Sequence, residues 1–399
     1  MYGYYKKSLL KLAHLQRELQ ENPLTNKHKC LLVQEEVLTI ILRIETKIRD
    51  RRRLVRELRR CLSLGRESVI DKAEAKRIKA AISWHVNRVK EYQLLLITFR
   101  TIVDGLAFIY FDKWDIKPLS MKERSGFISG KAGLDFELRI LRLAFSSKHI
   151  AILNDLTNCL RYGDIAILAN GRKLFVEAKS GRSGNARVQR QKSELENIAE
   201  YLTSGKSDKL RAIEGIEGEF TRIAIHSPEV DHRGRLNSII SRARGSADKC
   251  CMEEIEPGLY YGATYVADRK VLSTLIDKPQ GSVIISSINE LKYSGQGYYP
   301  FSLSIYDPED WYDFYSGSLM LIVAVETRVI EDKLSRYGIS VRITGEWNRF
   351  PIELTDIEAG TGSYKSLVGG HFFGRLFYEF LSLDWVLDEL IYLYQQDRD

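Results

Sequence analysis

The sequence predicts an α/β protein in three parts: a basic, helical coiled-coil arm over residues 1–120, a mixed-sheet α/β domain flanked by helices over 121–275, and a C-terminal α/β accessory region over 276–399. Three observations predict it. From Val37 to Val103 apolar residues recur at alternating spacings of four and three. Between about 125 and 270, helix and strand patterns alternate. From about 280 the chain is rich in Tyr, Phe and Trp, and it ends in an amphipathic run over 371–394.

In the arm, one seam runs Val37, Ile41, Ile44, Ile48, Val55, Leu58 and Leu62, interrupted by Arg51. A second runs Ile78, Ile82, His85, Val89, Tyr92, Leu96, Phe99 and Val103. Ser63-Leu64-Gly65 lies between them, and Gly65 can close the first helix in the left-handed conformation. Two long helices with a short connection predict an antiparallel coiled-coil hairpin. Leu9, Leu12, Leu15 and Leu19 predict a shorter helix before it, stopped near Pro23. Residues 1–120 carry 25 basic against 14 acidic side chains, whereas the whole chain is only +7. Seven arginines fall in the twelve residues 49–60. Of these, Arg51, Arg52, Arg53, Arg56, Arg59 and Arg60 are expected to contact nucleic acid. A solvated coiled-coil surface or an acidic partner subunit are the alternatives.

In the middle region, residues 131–146 read as a helix with the stripe Leu134, Leu138, Leu141 and Phe145 facing inward. GDIAIL (163–168) and KLFVEAK (173–179) read as strands joined at Asn170-Gly171. Residues 186–203 read as a helix, 221–227 as a strand, 236–244 as a helix and 258–266 as a strand. The run over 371–394 reads as one helix whose stripe (Phe372, Phe373, Leu376, Phe380, Leu383, Leu387, Leu390) suits a core or a dimer surface rather than a base-stacking platform.

The hairpin carries the chemistry. A turn centred on Asn170-Gly171 pairs Ala169 with Arg172 and Ile167 with Leu174, and the same register sets Asp164 opposite Glu177. Directly opposed Cβ atoms are ~5 Å apart, where two carboxylates need a cation or a shared proton between them. Lys179 projects from the face of Glu177. Two hard-oxygen ligands and an ammonium on one face suit Mg²⁺ and a scissile phosphate. At ~100° per residue, Glu137 lies about 60° from the middle of its helix's inward stripe, at the border of the packed face. A carboxylate there needs a partner.

A glutamate on a helix, Gly163-Asp164, twelve residues, then Glu177-Ala178-Lys179 resembles the PD-(D/E)XK nuclease superfamily, over roughly residues 125–230. Gly163 stands where the motif has proline. The resemblance implies a restriction-endonuclease-like fold, metal ligation by Asp164 and Glu177 with Glu137 as a further acid, and a water-assisting role for Lys179. Gln189 or Gln191 matches the active-site Gln of many members. Mg²⁺ or Mn²⁺ is the implied cofactor and DNA the implied substrate. Arg182 and Arg187, in the Gly/Ser-rich loop after the catalytic strand, are expected to contact phosphate.

The composition, 44% hydrophobic and 28% charged, is that of a globular chain. Five cysteines without zinc spacing read as free thiols. No uncharged apolar stretch of about 20 residues and no signal peptide are seen, so a cytoplasmic protein away from membranes is expected. No P-loop motif supplies an ATP motor. The expected activity is metal-dependent DNA cleavage, by analogy in prokaryotic anti-phage defence, restriction or repair. The alternative is a catalytically silent nucleic-acid-binding or coiled-coil scaffold. The coiled coil or the C-terminal helix is expected to join a second copy or a partner subunit.

Overall fold

The computed structural model describes residues 2–64, 71–120, 126–169, 171–178, 186–207, 220–222, 224–266, 282–295, 297–344, 351–357 and 365–396. Contacts divide the chain into two compact units, Met1–Thr221 and Arg222–Asp399. The boundary at 120/121 adjoins a segment outside the described residues, and the one at 275/276 falls within another.

Unit 1 begins with three helices: α1 (Tyr2–Glu21), α2 (Lys27–Leu64) and α3 (Lys72–Tyr110). Helices α2 and α3 form the antiparallel hairpin, with Glu45 near Arg100 and Arg51 near His85. The two polar interruptions of the apolar seams, Arg51 and His85, therefore meet each other, 3.2 Å apart. α1 packs on both helices at the base of the hairpin, where Leu9, Leu12 and Leu19 are fully buried. Beyond its reach the hairpin thins: α3 buries nothing before Leu95, and on α2 only Val55 is buried past Ile48. Two helices alone offer each residue too few neighbours to exclude water. By length and composition α3 could cross a bilayer, but 67% of its apolar window is buried within the protein.

After the short helix α4 (Lys113–Leu119), α5 (Leu134–Ser146) leads into an antiparallel sheet of β1 (Ile150–Leu153), β2 (Ile165–Ala169) and β3 (Arg172–Val176), with β2 central. The hairpin β2–β3 has the predicted register, from Ala169↔Arg172 to Ile165↔Val176. Strand β1 is absent from the sequence reading; all four of its residues are buried. Gln34 of α2 caps its free edge, donating to Ala151 O (2.9 Å) and accepting from Leu153 N–H (2.8 Å), and so occupies backbone groups that could recruit another strand.

Helix α6 (Ala186–Ser204) follows, then the two-residue strands β4 (Lys206–Ser207) and β5 (Phe220–Thr221). The strand expected over 221–227 does not form beyond Thr221 among the described residues. Among the described residues both sheets of unit 1, β1–β2–β3 and β4–β5, are antiparallel rather than mixed. The backbone N–H groups of His226 and Ser227 are taken by the Glu389 carboxylate instead of a neighbouring strand.

Unit 2 opens with α7 (Arg233–Gly245). It packs on a four-stranded antiparallel sheet, order β6 (Cys250–Glu256), β7 (Leu259–Thr264), β9 (Met320–Glu326) and β8 (Val283–Ser287). A second antiparallel sheet holds β10 (Ile339–Ile343), β11 (Ile352–Asp356) and β12 (Lys365–Val368). The expected C-terminal helix is three pieces, Gly370–Phe373, Arg375–Tyr378 and Leu383–Gln396. Phe380, at φ +56°, breaks the run, and Leu381 bridges to Asp231. All seven stripe residues are buried inside the unit, so they form core and not a free surface.

Candidate metal centre

Gly163 shapes the site. Its φ is +71°, and a Cβ added there would lie 3.0 Å from Val176 O. Through this left-handed step Asp164 N–H donates to Val176 O (2.8 Å), one residue out of step with the ladder that ends at Ile165↔Val176. The direct opposition of Asp164 and Glu177 predicted from the hairpin register is therefore not formed. The offset has the character of a bulge, which re-aims a side chain at a strand end. A proline at 163 could not take this conformation, because a pyrrolidine ring holds φ near −65°.

The re-aimed Asp164 carboxylate is held at both oxygens. Oδ2 accepts from Ala178 N–H (2.8 Å) and Oδ1 from Lys131 Nζ (2.8 Å). The same ammonium lies 2.8 Å from Glu137 Oε1 and 2.8 Å from Asp155 Oδ2. One oxygen from each of Glu137, Asp155 and Asp164 lies within 4.8 Å of the other two.

Each group is placed by its element. Glu137 stands in the first turn of α5, whose inward residues are Glu137, Leu141 and Ala144. The helix is thus rotated from the predicted stripe, and Glu137, 1% exposed, is central to the buried face instead of bordering it. Asp155 rides on the 3₁₀ turn Asn154–Leu156 directly after β1. Because β1 and β2 are neighbours, Asn154 N–H reaches Asp164 O (2.9 Å) and brings the turn beside Asp164. The Asn154 side chain donates to Tyr162 O (2.7 Å) and Gly163 O (3.1 Å), locking the turn to the glycine. Lys131 sits in the turn before α5, its N–H bonded to Ile128 O (3.0 Å).

The arm holds both loops. Glu45 of α2, fully buried, accepts from Ile128 N–H (3.0 Å) and Ser129 N–H (2.7 Å). Asp104 of α3 accepts from Asn158 N–H (2.6 Å), Asn158 Nδ2 (2.7 Å) and Cys159 N–H (3.0 Å). Burial pushes the Asp104 carboxyl up in pKa, and these hydrogen bonds oppose the shift.

Three carboxylates against one ammonium leave the cluster at a net −2 when ionised. Burial raises the pKa of Glu137; Lys131 opposes this, while Asp164 and Asp155 add to it. Burial alone would lower the pKa of Lys131, but its three carboxylate partners outweigh that and raise it. Glu137 Oε2 is buried with no hydrogen-bond partner, which is costly unless something else satisfies it. Side-chain exposure rises from Glu137 (1%) through Asp164 (15%) and Asp155 (25%) to Lys131 (30%), so the cluster opens to solvent on the lysine side. Hard oxygen donors, a net −2 and an orphan oxygen fit a divalent cation such as Mg²⁺ or Mn²⁺.

Glu177 follows the last paired residue of β3, partly buried and outside this cluster. Lys179, Arg182 and Asn170 lie outside the described residues. Gln189 is exposed on α6; Gln191 and Arg187 belong to the same helix, their side chains being outside the described set. On the arm, Arg51 stacks on Trp84 and Arg52 on Phe127. Arg53 is paired with Asp50 and Glu57, Arg56 and Arg59 line a groove, and Arg60 is exposed.

Lys131 and Asp155 are missed by the sequence reading. The signal for Asp155 was the uninterrupted apolar run Ile150-Ala151-Ile152-Leu153, a buried strand ending two residues before it. Lys131 had no signal beyond its place before a helix. No family model, curated protein or solved structure matches the chain.

Proposed function

We propose that the protein is a metal-dependent nuclease of restriction-endonuclease-like architecture that hydrolyses phosphodiester bonds of DNA. The observation that carries this reading is the meeting of Asp164, from the Gly-Asp step of the hairpin, with Glu137, from the preceding helix, in an acidic cluster of net −2. The order α5–β1–β2–β3–α6 around them agrees with that architecture.

Glu137, Asp155 and Asp164 would hold the metal. Bound there, Mg²⁺ or Mn²⁺ polarises a phosphoryl oxygen and lowers the pKa of water. Asp164 is kept in place by the Ala178 N–H, so its orientation does not depend on substrate. Lys131, on the solvent side, offsets one carboxylate charge, its three N–H groups each meeting one of the three acids. The motif implies metal ligation by Glu177 and a water-assisting role for Lys179; Glu177 stands outside the three-acid cluster, so its part as a ligand falls to Asp155.

Plasmid nicking with Mg²⁺ or Mn²⁺ tests this. Asp164→Asn, Glu137→Gln and Lys179→Ala are each expected to lose about 100-fold or more, since even residues that merely support metal ligands cost 10–100-fold. EDTA should abolish cutting. Metal-dependent cutting that survives all three substitutions would sink the assignment. A second reading, a silent DNA-binding protein, is favoured by one observation: Lys131 already touches all three carboxylates. It predicts DNA binding with no nicking in either metal.

A further inference from the structure

The outer half of the arm carries a groove of about 360 Å³ between α2 and α3. Val55, Val86 and Val89 line it together with Arg52, Arg56, Arg59, Lys90 and Gln93, the long side chains contributing mainly their apolar stems. Among the described residues, none of these four cations has a carboxylate partner. Arg53, between them in sequence, differs: Asp50 and Glu57 already face it.

The groove has a direction. On α2, Glu45, Arg52, Arg56 and Arg59 follow at spacings of seven, four and three, which places them on one stripe. Glu45 binds the 128–129 backbone that leads to Lys131, and Arg52 stacks on Phe127 of the same segment. On α3, Val86 and Gln93 continue by the heptad into Arg100, which donates to Gly126 O (3.1 Å). One turn on, Asp104 holds Asn158 and Cys159 beside the Asp155 turn. The groove's inner end, at Arg52, therefore abuts the 126–131 segment that carries Lys131. At 1.5 Å per residue its cations begin about 10 Å beyond Glu45 and reach about 21 Å, or roughly six base pairs.

Resting on the nuclease reading, we infer that this groove is the track for the DNA backbone leaving the metal centre. Three arginines in file on α2, with Lys90 across from them on α3, match a repeating phosphate anion, and arginine forks suit phosphate oxygens. An acidic amphipathic helix or a second copy of the chain could contact the valines, but neither explains why the row of arginines ends on the segment that carries Lys131. A duplex too short to reach Arg59 forfeits these contacts.

Fluorescence anisotropy of the full chain with labelled duplexes of about 10 and about 30 base pairs, in EDTA so that no cutting occurs, tests the inference. Arg52→Gln/Arg56→Gln/Arg59→Gln should bind the longer duplex roughly 100-fold more weakly at physiological salt, and its log K versus log salt slope should flatten by about 2.7. Lys90→Gln, on the other helix, should flatten the slope by about 0.9. The shorter duplex, about 34 Å long, still spans the row from Arg52 to Arg59 and should show the same losses. Circular dichroism at 222 nm verifies that each arm stays helical. If the triple variant and Lys90→Gln both match wild type in affinity and slope, the inference falls. It also falls if the triple variant changes only the sedimenting mass, which would give the groove to a second copy. Neither outcome touches the nuclease reading, which the nicking assay decides separately.

Discussion

Gly163 concentrates in one residue the departure from the expected hairpin. Its positive φ lets Asp164 N–H reach Val176 O and turns the carboxylate towards Lys131 and Ala178. Alanine at 163 pays for a left-handed conformation, about 1–2 kcal/mol, and its Cβ presses on Val176 O. Gly163→Ala should therefore lower the urea midpoint modestly and Mn²⁺ affinity more, as read by isothermal titration. Gly163→Pro, which restores the letter of the motif, should do worse on both counts. A proline variant that bound Mn²⁺ as well as wild type would show that the offset does not build the site.

At the scale of elements, helices of the arm hold the loops of the centre through buried carboxylates. Asp104 collects three donors from Asn158 and Cys159, and Glu45 two from Ile128 and Ser129. Asp104→Ala strands three buried donors at roughly 1 kcal/mol or more each. Urea unfolding should accordingly register a loss of about 3 kcal/mol, and Mn²⁺ affinity should fall because the 154–156 turn loses its brace. Asp104→Asn, which keeps an acceptor oxygen, should recover part of both. Full metal affinity in the alanine variant would mean that the arm does not position the centre.

For the whole molecule, the two units have cores of their own, the second built on β7, β9 and the helices Pro308–Ser316 and Leu383–Gln396. Compact units with cores of their own unfold as separate steps. Calorimetry should resolve two transitions, with Asp104→Ala moving only that of unit 1. Lys292 labels the other. Its ammonium donates to Phe314 O (3.0 Å) and Tyr315 O (3.2 Å) among the rings of Tyr293, Phe314 and Tyr315. Burial there pulls its pKa down to about 8, from an ordinary 10.5. Between these values the unfolded chain keeps a proton that the folded unit has lost, so stability rises with pH across that window. Wild type should gain on Lys292→Met between pH 8 and 10 in the unit 2 transition alone. Parallel pH curves for the two proteins would refute the shift.

Local pattern was enough to read α1, the α2–α3 hairpin, α6 and the β2–β3 register, because each rests on periodicity or on an Asn-Gly turn within a few residues. It was also enough to single out Asp164 and Glu137. Three things depended on distant partners. The rotation of α5 that buries Glu137 follows from what the helix packs against. The offset at Asp164 needs Gly163 close against Val176, thirteen residues away. The recruitment of Lys131 and Asp155 requires β1 beside β2 and two loops pinned by Glu45 and Asp104 from the arm. The sequence by itself determined the arm helices, the β2–β3 register and two of the three clustered acids; the tertiary structure decided that Asp155 rather than Glu177 joins them, because carboxylates are brought together by packing of whole elements and not by spacing along the chain.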